Sequence, residues 1–220
     1  GDTVPLVSGT PQYNQREIVS YYAFTTVGKS PAIHEVRQIL TVDKDRLAKD
    51  FEGRNEIRNA LLSRDDQVKT RLLNGFEPEA LNGVAMDLGQ MILLFDANGM
   101  KNFTFDYDRE ETVRGISTMV IRYAQKSGAE SVHIIDRGKK AKVPLRGWLW
   151  VRLPDFLPVG ITMITSRTVN KHEIRDEAEV DYAENSQGAL LPTAVLHRRY
   201  EDDILAAEDD FRYTNWQSLK

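Results

Sequence analysis

The feature that most constrains the fold of this chain is an alternating run from Glu173 to Tyr182. The odd positions from 173 to 181 are all charged, whereas Ile174, Ala178, Val180 and Tyr182 stand at even positions. Successive side chains of a strand point to opposite faces of a sheet, so this period of two predicts one wet face and one buried face. An antiparallel sheet accommodates that pattern, whereas a parallel α/β sheet is buried on both faces. The run therefore predicts an antiparallel fold.

Composition narrows the class of protein. With 220 residues, of which 41% are hydrophobic and 28% charged, the chain can bury a sizeable core, as soluble globular proteins do. Its 33 acidic and 29 basic residues leave a formal charge of −4, which does not indicate nucleic-acid binding. No apolar run approaches the roughly 20 residues of a transmembrane helix. The absence of cysteine excludes disulfides, thiolate metal sites and cysteine nucleophiles.

The order of predicted strands and helices along the sequence indicates an α+β fold. Residues 1–15 read as a flexible leader and residues 16–220 as a single domain. The chain begins with Gly1 rather than Met, as it would after removal of a signal peptide or with an engineered start. Two strands come first, then a helical insertion over about 54–95, then a meander, about ten strands in all. The predicted strands are 16–27, 33–42, 102–107, 111–124, 131–136, 147–153, 160–170, 172–182, 193–200 and 204–214.

The helical insertion carries the strongest candidate for a binding surface. Apolar residues at helical spacing predict one helix over 54–73 and a second from Glu79 to Phe95. The apolar face of the second helix either plugs the sheet or partly covers a lipid-sized cavity, and its methionine suits an adaptable surface. The candidate ligand-lining residues are Leu81, Val84, Leu88, Met91, Ile92 and Phe95.

Motifs for catalysis, metal binding and nucleotide binding are missing. The four histidines, His34, His133, His172 and His197, fall on four different predicted strands, where half-exposed surface positions are expected. Asp106, Asp108, Glu110 and Glu111 are expected at a solvated hairpin tip, and the basic stretch 137–142 at a solvated turn. We therefore expect no metal site, no cofactor and no catalytic residue. A dispersed carboxylate site stays open as an alternative, because 33 acids cannot be paired from sequence alone.

The C-terminal third carries a family resemblance. Gly147-Trp148-Leu149-Trp150-Val151, then Leu157-Pro158, the charged alternating strand, Gly188-Ala189-Leu190-Leu191-Pro192 and Tyr213-Thr214-Asn215-Trp216 follow in fixed order. This order resembles bacterial secreted proteins of the lipoprotein-carrier-like (LolA/LolB/RseB-like) superfamily, and its uncharacterised members most. The resemblance implies an open antiparallel half-barrel with helices over its concave face and an apolar ligand between them. It implies no catalytic residues.

These expectations combine into one functional hypothesis with two alternatives. The leading hypothesis is a non-enzymatic periplasmic or secreted protein that binds a lipid or the acyl chain of a lipoprotein. The first alternative is a protein-interaction or sensor module of the cell envelope, with a filled core and an envelope protein as partner. The second is an enzyme with a dispersed carboxylate site. Neither nucleic acid nor a transmembrane segment is expected.

Overall fold

The computed structural model describes residues 17–25, 27–28, 34–46, 51–75, 91–95, 99–129, 132–136, 139–186, 188–214 and 216. These residues fall into two compact units, the first containing the described residues from 17 to 75 and the second those from 91 to 216. Among them, no helix is long and apolar enough to cross a membrane. Each unit has its own sheet.

The first unit pairs a small antiparallel sheet with two helices. Its strands are β1 (Ile18–Thr25), β2 (His34–Val42) and β3 (Asp45–Arg46), in that order across the sheet. Its helices are α1 (Phe51–Leu62) and α2 (Asp66–Gly75). The sequence predicted a single helix over 54–73, which is wrong. The helical structure is interrupted at Asp65. Its carboxylate accepts a hydrogen bond from Gln67 N at 2.8 Å and so caps α2.

The second unit is built on an open, seven-stranded antiparallel sheet in the order β12-β11-β10-β9-β8-β5-β4. Strands that are adjacent in the sheet also follow one another along the chain, with one exception. Between β5 and β8 the chain forms a separate hairpin, β6 with β7, which is not part of this sheet. The antiparallel fold predicted from the alternating run is confirmed. The strands are β4 (Phe103–Val113), β5 (Ile116–Gln125), β6 (Val132–Asp136), β7 (Lys139–Val143), β8 (Arg146–Arg152), β9 (Pro158–Val169), β10 (His172–Glu184), β11 (Leu190–Glu201) and β12 (Ile204–Arg212).

Two-residue turns fix the register of several hairpins. Arg114-Gly115, Asn170-Lys171 and Asp202-Asp203 connect successive strands of the large sheet, and all six residues have positive φ. Positive φ at both central residues is the type I′ geometry, whose twist matches that of the flanking strands. Asp202 also accepts a hydrogen bond from Glu173 N at 2.9 Å, which ties this turn to β10. Tight turns leave the register little room to slip.

The bounds of β4 and β7 correct two predictions about charged segments. β4 continues through the acidic residues 106–111, and the hairpin tip is Arg114-Gly115 instead. The acidic residues are therefore strand residues on an edge of the sheet, where charge discourages pairing with another strand. The basic stretch 137–142, predicted as a turn, instead supplies residues 139–142 of the strand β7, while residues 137–138 lie outside the described ones.

The register places one residue from each of five neighbouring strands in a single row. Leu149 faces Ile161, which faces Val180, which faces Val195, which faces Phe211. Directly opposite residues of antiparallel strands point to the same face, so the five side chains form one stripe, which we call the apolar row. Ile161, Val180 and Val195 are fully buried, and the two end members are at most 9% exposed. We call the face that carries this row the apolar face.

Candidate functional site

The predicted ligand-lining residues divide into two groups. Leu81, Val84 and Leu88 lie outside the described residues. Met91, Ile92 and Phe95 lie in the 3₁₀ segment Met91–Phe95, where the sequence predicted the last turn of an α-helix, and all three are half-buried. For these five residues the α-helical prediction is wrong.

The 3₁₀ segment packs on the large sheet through an aromatic cluster. The Phe95 ring meets the rings of Tyr123 and Phe103 edge-on, with centroids 4.8 and 5.1 Å away. Phe105 lies 5.7 Å from it. Such edge-to-face pairs are worth about 1 kcal/mol each beyond the area they bury. One hydrogen bond, from Ile92 N to the Tyr182 hydroxyl at 3.2 Å, adds a polar contact.

A cluster of charged side chains lies beside the apolar row, on the same face of the sheet. We call Arg167, Asp176, His197, Arg199 and Asp209 the charged cluster. Met163, Ala178, His197 and Asp209 form the next row in register, and Thr165, Asp176 and Arg199 the row after it. The apolar face therefore changes from hydrophobic to ionic within two rows. Asp209 is only 2% exposed and His197 only 9%, so these charges are removed from bulk water.

Asp176 is the hub of the charged cluster. Its Oδ1 accepts hydrogen bonds from Arg199 Nε at 2.8 Å and from His197 Nε2 at 3.1 Å. Its Oδ2 accepts one from Arg167 Nη1 at 2.6 Å. On its other side, the His197 ring donates from Nδ1 to Asp209 Oδ2 at 3.0 Å. Both ring nitrogens are therefore engaged with carboxylates, and neither is available to take a proton from a substrate as a general base.

Comparison of the chain with family models, with curated proteins and with solved structures finds no match. The function is therefore inferred from the geometry of the sheet and from the sequence.

The surroundings of His197 favour its charged form. Burial opposes a charged imidazolium, but the hydrogen bonds to Asp176 and Asp209 outweigh it, so the pKa of His197 is raised. Burial likewise opposes the Asp176 carboxylate, yet the bonds from His197, Arg199 and Arg167 hold the pKa of Asp176 well below its usual range. The two shifts indicate an imidazolium held between two carboxylates.

These shifts predict how stability depends on pH. Because the pKa of His197 is higher in the folded chain, its contribution is complete below the unfolded value of about 6.5 and is lost as the pH rises through the folded value. The contribution of Asp176, whose folded pKa is lowered, is present above about pH 4 and is lost as the pH falls through the folded value. We expect the urea midpoint to be highest between about pH 4.5 and 6.5 and to decline as the pH rises above about 6.5.

Two histidine variants isolate the alkaline part of that profile. His197→Gln should flatten the decline in the urea midpoint above about pH 6.5. His172→Gln should leave most of it, because His172 pairs with Asp202 at the surface, where solvent screens the interaction. Equal alkaline slopes for the wild type and His197→Gln would show that His197 is not charged in the folded chain.

Sequence reasoning missed the charged cluster. His197 was predicted as a half-exposed surface residue, which is wrong, whereas His172 is exposed as predicted. The one available signal was Asp176. It is a charged residue at an even position of the alternating run, among Ala178, Val180 and Tyr182, which the structure buries as predicted. A lone carboxylate on a buried face requires partners, but the strand that would supply them could not be identified.

The opposite face of the sheet carries a shallow cleft of about 180 Å³. Trp150 forms its wall and donates its indole N–H to Glu111, while Arg114 makes two hydrogen bonds to Asp181 at its rim, at 2.7 and 2.8 Å. A second cleft, of about 110 Å³, lies beside Trp148 and Arg122. Within the described part of the chain, no group of His, Asp and Glu is arranged to hold a metal ion.

Proposed function

We propose that this chain is a non-enzymatic binding protein that holds the acyl chain of a lipid-like or acylated ligand against the apolar face. The observation that carries the proposal is the apolar row, an unbroken hydrophobic stripe across five strands beside the Phe95 aromatic cluster. With strands about 4.8 Å apart, the stripe extends for about 19 Å. Each CH₂ buried on it would contribute about 0.8 kcal/mol to binding.

The 3₁₀ segment Met91–Phe95 is the element that the ligand would displace. In the folded chain the centre of the apolar row is covered, since Ile161, Val180 and Val195 are fully buried. A long chain therefore needs space that opens when the segment lifts from Tyr123 and Tyr182. Ring contacts and one described hydrogen bond hold the segment, so its displacement costs less than the unfolding of a strand.

The resemblance seen in the sequence supports the same proposal. Under this resemblance the open sheet is the wall of a half-barrel, and the protein acts in the periplasm or is secreted. The lipoprotein-carrier-like superfamily supplies these expectations, and they are part of the proposal. A protein-interaction module with a filled core is the competing function that the experiment must separate from it.

A series of linear alcohols tests acyl-chain binding without any contribution from a charged head group. We expect calorimetric titration with hexanol, octanol and decanol to show affinity rising about fourfold for each added CH₂. Binding that is absent, or that does not depend on chain length, would contradict the proposal and favour the filled core.

A tyrosine pair tests whether the 3₁₀ segment gates the site. Tyr182→Phe removes the hydroxyl that accepts from Ile92 N, so it should populate the displaced segment and tighten decanol binding by about fivefold. Tyr213→Phe is the matched control, because the Tyr213 hydroxyl is buried without a hydrogen-bond partner. If both variants bind decanol as the wild type does, the segment does not gate the site.

A further inference from the structure

Two buried polar atoms on β9 have no hydrogen-bond partner within the part of the chain that the structure describes. They are Thr165 Oγ1 and Arg167 Nε. Thr165 is 8% exposed, and the Arg167 side chain is 9% exposed. The two residues are two positions apart on one strand, so their side chains point to the same face, about 6.6 Å apart along β9. Buried donors without a partner are rare in folded proteins, and a bound ion is one way to satisfy two of them on the same face.

An acceptor can satisfy both atoms, and the arginine nitrogen can be satisfied by nothing else. A guanidinium nitrogen can only donate, and a threonine hydroxyl donates to any acceptor within reach. An oxyanion has several acceptor oxygens and matches the positive charge of an arginine. The nearby Asp176 carboxylate would repel an anion, but it is already bonded to Arg167, Arg199 and His197, which offset its charge.

Register relates this pair of atoms to the apolar row. Along β9, Ile161, Met163, Thr165 and Arg167 alternate onto the apolar face, so hydrophobic positions change to polar ones along a single strand. Thr165 stands four positions after Ile161, a distance of about 13 Å. A molecule with a tail on the apolar row and a charged end over Thr165 would match both regions.

We propose that Thr165 and Arg167 form a buried oxyanion site that receives the carboxylate or phosphate end of an amphiphilic ligand. The inference rests on the proposed function, because it assigns the head group of the same ligand. It narrows the ligand class from any acyl compound to anionic amphiphiles. An uncharged acyl compound would bind the apolar row but leave Thr165 Oγ1 and Arg167 Nε without acceptors.

Thr165→Val tests the site without removing any existing hydrogen bond. Valine keeps the shape of threonine, and the lost hydroxyl has no partner in the folded chain. We expect wild-type protein to bind decanoate at least tenfold more tightly than decanol, and Thr165→Val to lose most of that advantage while binding decanol within twofold of the wild type. Thr168→Val, an exposed change on the same strand, is the control and should leave both affinities unchanged.

The outcomes separate this inference from the proposed function. If decanoate and decanol bind equally well in wild type and in Thr165→Val, the oxyanion site is refuted while acyl binding stands. If neither amphiphile binds, the proposed function fails, and inorganic phosphate then tests the site alone. Phosphate that raises the melting temperature of the wild type, but not of Thr165→Val, relative to chloride at equal ionic strength supports a site for a free oxyanion. If phosphate changes the melting temperature of both proteins equally, the site is refuted.

Discussion

Replacing Asp176 by asparagine is expected to destabilise the folded chain by about 3–5 kcal/mol. Asparagine keeps the shape of the side chain but replaces the carboxylate with a neutral amide. The carboxylate oxygens of Asp176 accept hydrogen bonds from Arg167, Arg199 and His197. Arg167 and His197 are then left buried without that charge, and breaking a buried ion pair from one side is costly. Urea denaturation at about pH 6, where His197 is charged, gives the free energy of unfolding directly.

Asp210→Asn is the matched control for that measurement. Asp210 lies on β12 next to Asp209, but it pairs with Arg212 at the surface, where the arginine side chain is 69% exposed. Exposed pairs contribute about 1 kcal/mol or less, so this variant should unfold near the wild-type midpoint. Equal losses for the two variants would mean that the charged cluster adds no more to stability than a surface pair.

Replacing Gly147 by alanine is expected to cost about 3 kcal/mol or more, at the upper end of the range for overpacking. A Cβ at position 147 would lie 1.9 Å from the Thr162 carbonyl oxygen and 3.0 Å from the Tyr123 hydroxyl. That hydroxyl donates to the same Thr162 oxygen at 2.8 Å, so the intruding methyl would disrupt a buried hydrogen bond as well as the backbone. Thermal unfolding should show a large fall in melting temperature or no folded protein.

Gly160→Ala is the matched control for Gly147→Ala, because it makes the same substitution where there is room for a Cβ. Gly160 lies on β9, the strand paired with β8, and a Cβ there would meet its nearest atoms at 3.7–3.9 Å, which is ordinary contact. Alanine also restricts the unfolded chain more than glycine does, so this variant should be as stable as the wild type or slightly more stable. If Gly147→Ala behaves in the same way, β8 does not approach β9 as closely as described.

Local patterns predicted the antiparallel sheet well, because each strand carries its own period of two and its own turn residues. Ala178, Val180 and Tyr182 could be placed on the buried face of β10 from their spacing alone. The break between α1 and α2 was also visible in principle, since Ser63 and Asp65 are residues that favour caps. The apolar spacing on either side of them matched one continuous helix and concealed the break.

The charged cluster could not be predicted because it depends on cross-strand register. Asp176 and His197 are 21 residues apart in sequence, and His197 and Asp209 are 12 apart. A shift of one residue in either pairing would move a partner to the opposite face of the sheet. The requirement for glycine at position 147 could not be predicted either, because the backbone that excludes a Cβ there belongs to Thr162 on the neighbouring strand. Contacts between strands, rather than patterns within them, define the candidate site.

The most direct test of acyl binding on the apolar face is methyl NMR of the chain labelled at its five methionines during titration with decanol. Met163 is buried on the apolar face, and Met91 lies in the 3₁₀ segment above the sheet. Met100 is 47% exposed and serves as the internal control. Saturable shifts of the Met163 and Met91 signals, with the Met100 signal unchanged, are the predicted result. An unchanged Met163 signal while decanol is present in excess would contradict the account.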